Sequence, residues 1–239
     1  MGPITAIFAL LSLLRRDDIL VIPHDSYCLS AGCDFSTLPL DCLPPLLEIY
    51  SCADCAEYFD HPLHKDSWVR GGSWQDALRR GAKIGVVGGS DDHVATPGLD
   101  HPDEKYPFCY RGATGVWARE NTREAIFEAL SKRRCFAFMG HGRMSLDFRI
   151  NGHYMGESFS LAPGETRNIW IDFQTTEEIE RVTLVKNCQD LVILYGRGTQ
   201  MLFDYRQESP CDCYYVRAIT AKGRYCWSSP IWVQGETQL

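Results

Sequence analysis

The stretch "KIGVVGGSDDHVATPG", residues 83–98, sets an apolar run against a glycine pair and then two acids and a histidine. The run lacks the alternation of a half-solvated strand, so residues 83–89 read as a strand buried on both faces, as parallel sheets require. Parallel sheets and barrels build their sites at the carboxyl ends of strands, where Asp91, Asp92 and His93 fall. Asp91 and His93 are two residues apart, so an extended backbone aims both to one side. A carboxylate beside an imidazole suits Zn²⁺, Mn²⁺ or Fe²⁺. Gly88 and Gly89 permit close backbone approach, and Asp92 reads as a solvent-facing spacer.

Outward from this run, the amino-terminal part alternates helix with short apolar strand. A helix is expected over residues 4–16, and strands over 19–23 ("ILVIP"), 46–51 ("LLEIYS") and 114–118 ("TGVWA"). Ser73 opens a short helix with Asp76 at the capping-box position and Gly81 at its end. Asn121 with Glu124 predicts the start of another helix, whose last turn is basic. Repeated strand–helix units imply a parallel sheet or barrel. After Gly140 the period becomes two. "LDFRI" puts Leu146, Phe148 and Ile150 on one face before an Asn151-Gly152 turn, and a hairpin is expected at Lys222-Gly223. The expected fold class is therefore α/β followed by all-β: a β/α unit over 1–139 and an antiparallel β-sandwich over 140–239.

The net charge of −7 argues against a nucleic-acid partner. The apolar opening, residues 1–14, is shorter than the roughly 20 residues a membrane span needs. It has no cationic residue ahead of it and no small-residue cleavage site behind it. Neither a membrane span nor an export signal is expected, which favours the cytoplasm. Among eleven cysteines, Cys52 and Cys55 form a CxxC and Cys211 and Cys213 a CxC. With no second CxxC, a structural zinc knuckle is disfavoured against free or locally paired thiols.

Three expected strands end in chemistry: His24 and Asp25 after the first, Glu48 near the end of the second, and Asp91 with His93 after the third. Convergence predicts a divalent transition-metal site built from His24, Glu48, Asp91 and His93. Plainer readings are a loop role for His24 and a structural arginine partner for Glu48. Arg70, just ahead of a helix start, is a candidate for steadying a substrate phosphate at the helix amino terminus; a solvated loop arginine is the alternative. His61, His64 and His101 sit in polar loops without metal-type spacing, and His141 and His153 receive no role.

"VIPHD", "LLEIYS", "VGGSDDHVATPG", "GATGVWARENTREAIFEALSKRRCFA", "DFRINGHYMG" and "YYVRAITAKGRYCWSSPIWV" together resemble the polymerase-and-histidinol-phosphatase (PHP) superfamily. The nearest branch is the family called domain of unknown function 3604. The resemblance implies a distorted seven-stranded β/α barrel that holds two or three metal ions and hydrolyses phosphate esters. Its late motifs match His24, Asp91 and His93, and Glu48 matches a Glu-Ile-Tyr stretch of the narrower family. The superfamily's first motif, His-x-His, occurs nowhere in the chain, Asp25 replaces a histidine, and "CADCAE" stands where relatives carry His-Gly. The resemblance thus implies the back half of a barrel followed by its sandwich. The functional expectation is a metal-dependent phosphoesterase-like hydrolase in truncated, weakly active or inactive form, acting on a small phosphorylated substrate. The alternative is a non-catalytic module whose sandwich aromatics, Trp227 and Trp232 among them, bind carbohydrate or protein. A third role for the sandwich is rigid support.

Overall fold

A computed structural model describes residues 18–28, 32–51, 54–63, 69–91, 111–140, 143–162 and 164–235. The expected helix over 4–16 lies outside them. Fourteen strands follow in chain order. They are β1 (Leu46–Tyr50), β2 (Gly85–Gly88), β3 (Gly112–Val116), β4 (Cys135–Met139), β5 (Met144–Ile150), β6 (His153–Tyr154) and β7 (Ser158–Leu161). The remainder are β8 (Arg167–Thr175), β9 (Ile179–Lys186), β10 (Gln189–Tyr195), β11 (Thr199–Asp204), β12 (Cys211–Thr220), β13 (Tyr225–Ser228) and β14 (Ile231–Gly235). Two α-helices accompany them, α1 (Trp74–Arg79) and α2 (Arg123–Ser131).

The expected β/α barrel is not what these residues form. Strands β1 and β2 pair in parallel as a two-stranded sheet, but β3 and β4 pair antiparallel and join the sandwich through β13. The nine-residue α2 lies between neighbouring antiparallel strands and makes no parallel crossover. Gly115 explains the close β3–β4 fit, because a Cβ there would lie 2.0 Å from the Phe136 ring. Residues 19–23 form no strand, and Glu48 N–H donates to the Pro23 carbonyl at 3.1 Å.

An eight-stranded sheet (order β10-β9-β12-β13-β4-β3, with β14 and β7 alongside) faces a four-stranded one (β11-β8-β5-β6). Leu146, Phe148, Ile150, Ile169, Ile171 and Phe173 of the smaller sheet pack on Val182, Leu184, Tyr214 and Val216 of the larger. The other face of the large sheet carries a second core, where Val185, Cys213, Tyr215, Trp227 and Trp232 meet Leu47, Ile49, Trp74, Leu78 and Ile84. A continuous apolar run such as β12 therefore belongs here to an antiparallel strand covered on both sides.

Local signals hold well. Ser73 and Asp76 form a capping box on α1, and Gly81 follows at φ +86°. Asn151 and Gly152 turn at φ +50° and +84°, and the β12–β13 hairpin turns through Gly223. The cap of α2 is Thr122, which accepts from Ala125 N–H, in place of Asn121. The nine described cysteines are free. Among the described residues no helix is long and apolar enough to cross a membrane.

Two buried ionic knots fasten the layers. Glu57, fully buried, accepts from Tyr215 Oη (2.7 Å), Arg217 Nη1 (2.8 Å) and Trp227 Nε1 (2.7 Å), tying an early loop to β12 and β13. Lys186, also buried, reaches Asp204 at 3.0 Å and Asp212 at 3.4 Å. Burial pushes the Glu57 carboxyl up, but His61, Arg217 and Tyr215 outweigh it and hold it below the ordinary 4.5. Glu57→Ala leaves Arg217 with Asp190 alone and strips the buried Tyr215 and Trp227 donors of their acceptor, so urea titration should show a loss of about 3–5 kcal/mol. The carboxylate's contribution is present above pH 4.5 and is lost as pH falls through its lower folded value. Glu57→Gln should therefore lack that component of acid unfolding.

Candidate metal centre

Parallel pairing of β1 with β2 sets Glu48 opposite Val87 and brings the loops after both strands to one end. Glu48 is the one residue of β1 that is not buried, so it faces outward from a strand otherwise in the core. A Cβ at Gly89 would lie 1.8 Å from Glu48 Oε1, so glycine at this position is what lets the carboxylate sit against the backbone. Asp25 and Asp91 both adopt left-handed backbone, at φ +50° and +49°. Aspartate tolerates this region better than most residues, and its use at two converging acids is the kind of local strain found at functional sites.

These segments surround the half-exposed His24 ring. Its Nδ1 bonds Glu48 Oε2, while Nε2 lies 3.2 Å from Asp25 Oδ2 and 3.8 Å from Asp91 Oδ1. The Glu48 hydrogen bond, opposed by partial burial and reinforced by the charges of Glu48, Asp25 and Asp91, raises the His24 pKa to about 9. Tyr27, buried beside the cluster, donates to Asp25 Oδ1 at 3.0 Å. Burial, together with Asp54 and Asp25, pushes its phenol upward, so it stays a donor. An adjoining cleft of about 390 Å³ is lined by Ile22, Val87, Val116 and Leu130, with His24 and Glu48 among its polar lining. Thr114 Oγ1 both accepts from Gly88 N–H (3.0 Å) and donates to its carbonyl (2.8 Å), fixing the cleft wall.

The structure thus brings His24, Glu48 and Asp91 together and adds Asp25 and Tyr27. His93 and Asp92 lie outside the described residues. Arg70 is exposed and stacks on the Phe59 ring at 4.8 Å, and the amino terminus of α1 beyond it is already met by the Asp76 carboxylate. An imidazole and carboxylates are ligand types that divalent cations take, but Glu48 lies on Nδ1 and Asp25 and Asp91 on Nε2, so the ring divides the acids between its two nitrogens.

A second cluster, Cys55, Glu57 and His61, has its ligand atoms within 4.8 Å of one another. Its chemistry does not fit an ion. Both Glu57 oxygens already accept strong hydrogen bonds. His61 Nδ1 accepts from Leu63 N–H at 3.2 Å, which places the ring proton on Nε2, 3.3 Å from Glu57 but poorly aligned for a hydrogen bond. Burial also drives the Cys55 thiol well above its usual range, so an ion here would have to displace both a thiol proton and a ring proton while competing with the donors on Glu57. Sequence spacing assigned His61 no role; it lies four residues after Glu57, whose other partners are more than 150 residues away in the chain.

The molecule so far is a two-core β-sandwich protein carrying an acid–imidazole cluster on a short parallel strand pair. Among known sequences, a protein family of unknown function (DUF3604) matches residues 101–163. An uncharacterized protein of Chlamydia muridarum (strain MoPn / Nigg) is 27% identical over 90% of this chain and 38% of its own length. One of Chlamydia pneumoniae shows the same figures, and one of Chlamydia trachomatis serovar D is 27% identical over 79% of this chain and 34% of its own. The chain therefore spans little more than a third of these curated relatives. Among solved structures, the fibronectin(III)-like modules of Clostridium thermocellum CbhA align at TM-score 0.32 and 14% identity, over 38% of this chain and 98% of theirs.

In metal-free protein, His24 should titrate near 9 by NMR and return toward 6.5 in Glu48→Gln. The stabilisation it gives the fold is complete below 6.5 and is lost as pH rises through about 9. Gly89→Ala should displace Glu48 and lower the same pKa with little change elsewhere.

Proposed function

We propose that this chain carries the metal site of a divalent-metal-dependent hydrolase acting on phosphate esters. The observation that carries the reading is the His24 imidazole enclosed by Asp25, Glu48 and Asp91 at the ends of β1 and β2, beside a cleft. The likeness of "VIPHD" and "GSDDHV" to PHP motifs supports the same chemistry. His24 through Nε2, with Asp91 and Asp25, would hold a zinc, manganese or iron ion, Glu48 on Nδ1 would orient the ring, and Tyr27 holds Asp25. A bound ion supplies Lewis-acid polarisation of a phosphoryl oxygen and acidifies a bound water.

The protein's own residues do the rest. Binding requires His24 to give up its proton, leaving a nitrogen lone pair for the ion. Ile22, Val87, Val116 and Leu130 form an apolar wall that excludes water and accepts a non-polar leaving group. The sandwich supports this reading as a scaffold: Trp227 and Trp232 are buried in the core, with Trp227 stacked on Tyr225 at 5.3 Å.

Protein purified without chelator should retain a divalent transition metal, and added Mn²⁺ should support hydrolysis of an aryl phosphate. His24→Ala and Asp91→Asn should each lower metal retention and turnover on the order of 100-fold. Undiminished metal content and turnover in the double variant would remove the assignment.

A further inference from the structure

The cleft beside His24 is walled in part by elements that the acid–imidazole cluster does not use. Of its apolar residues, Ile22 lies two before His24 and Val87 belongs to β2, whereas Val116 comes from β3 and Leu130 from α2. Val116 and Leu130 pack on Leu46, Val87 and Cys135, a small third core between the parallel pair and β4. The backbone fixes this wall. Val116 is paired with Cys135 in the β3–β4 ladder, and the last turn of α2 closes with Arg133 N–H on the Leu130 carbonyl at 2.9 Å. Ile22 precedes Pro23, whose carbonyl accepts from Glu48 N–H at 3.1 Å.

This wall gives a hydroxyl group almost nothing to bond. Thr114 carries the one hydroxyl among the described lining residues, and its proton is committed to the Gly88 carbonyl at 2.8 Å. Apart from the His24 ring, no other described side chain of the lining carries a proton to donate. A hydroxyl placed along Val116 and Leu130 therefore gives up water for methyl groups without a replacement bond. One such group in an apolar pocket lowers kcat/KM on the order of 100-fold. A hydrocarbon gains by the same exchange. The volume is sufficient: about 390 Å³, where roughly 150 Å³ holds a benzene ring.

We propose that the substrates are phosphate esters of an unsubstituted aryl or alkyl alcohol, and that Val116 and Leu130 select them over esters of sugars and nucleosides. This inference rests on the hydrolase reading and narrows it to one substrate class. The phosphoryl group lies toward His24, and the hydrocarbon runs along Val116 and Leu130. Hydrolysis breaks the bond between phosphorus and the alcohol oxygen. Water supplies the new oxygen on phosphorus and the proton on the departing alcohol, which leaves through the cleft. Selectivity thus comes from β3 and α2, and the chemistry from the loops that follow β1 and β2 and precede β1.

Benzyl phosphate and glucose 6-phosphate both leave through a primary alcohol, so their ratio of kcat/KM reports the cleft and not the leaving group's acidity. With Mn²⁺ added to the whole chain, benzyl phosphate should be preferred on the order of 100-fold. Leu130→Asn should cut that preference about 10-fold while metal content stays unchanged. A binding measurement needs neither turnover nor substitution. In metal-free protein, p-cresol at millimolar concentration should shift the Ile22 and Leu130 methyl resonances and the His24 ring, and glucose should shift none of them. Equal use of the two esters, a preference indifferent to Leu130→Asn, or methyl resonances that p-cresol leaves in place overturns the proposal. Turnover of neither ester alongside the p-cresol shifts confines the failure to the hydrolase reading, with the cleft's preference for hydrocarbon upheld by the binding.

Discussion

The fold depends on a carboxylate that has no access to water. Glu57 enters the protein on a loop after β1 and is met there by a phenol, a guanidinium and an indole from β12 and β13. Burying that charge without partners is prohibitive, and with them it becomes a geometric lock. The lock presses the face of β12 and β13 against Trp74, Ile49 and their neighbours, creating the core under the parallel strand pair. Without that core, β1 and β2 would be two short strands with nothing beneath them, and an isolated pair has marginal stability in water.

The candidate centre inherits its shape from this arrangement. The inner side of β1 is anchored by Leu47 and Ile49, which leaves Glu48 to face the loops. His24 follows Pro23, whose carbonyl is pinned by the Glu48 amide, so imidazole and carboxylate are registered through a single backbone hydrogen bond. Asp25 and Asp91 then take up backbone conformations that most side chains avoid. The acids are held close by the framework around the His24 imidazole, whose proton offsets their mutual repulsion.

Much of the local structure was legible in the sequence, because it rests on neighbours in the chain: the Ser73 cap, the Gly81 stop, the Asn151-Gly152 turn, and the alternation of Leu146, Phe148 and Ile150. The meeting of His24, Glu48 and Asp91 was legible too, since each follows or sits within an apolar run. The barrel was a misreading of strand pairing. The runs 46–51 and 83–89 do supply a parallel pair. The run 114–118 instead pairs antiparallel with 135–139, and 19–23 forms no strand, since an apolar run alone does not mark its neighbour's direction. The role of Glu57 was beyond reach for another reason: its donors sit at residues 215, 217 and 227, and nothing local marks such a pairing.

Strand β4 gives the molecule an unusual sort of unity. Ala137 and Met139 belong to the core beneath the parallel pair, while Phe136 belongs to the core between the sheets. A change of volume along these few residues is felt by both interiors at once, so neither can drift independently. A substitution in one interior that shifts β4 therefore calls for a compensating change in the other.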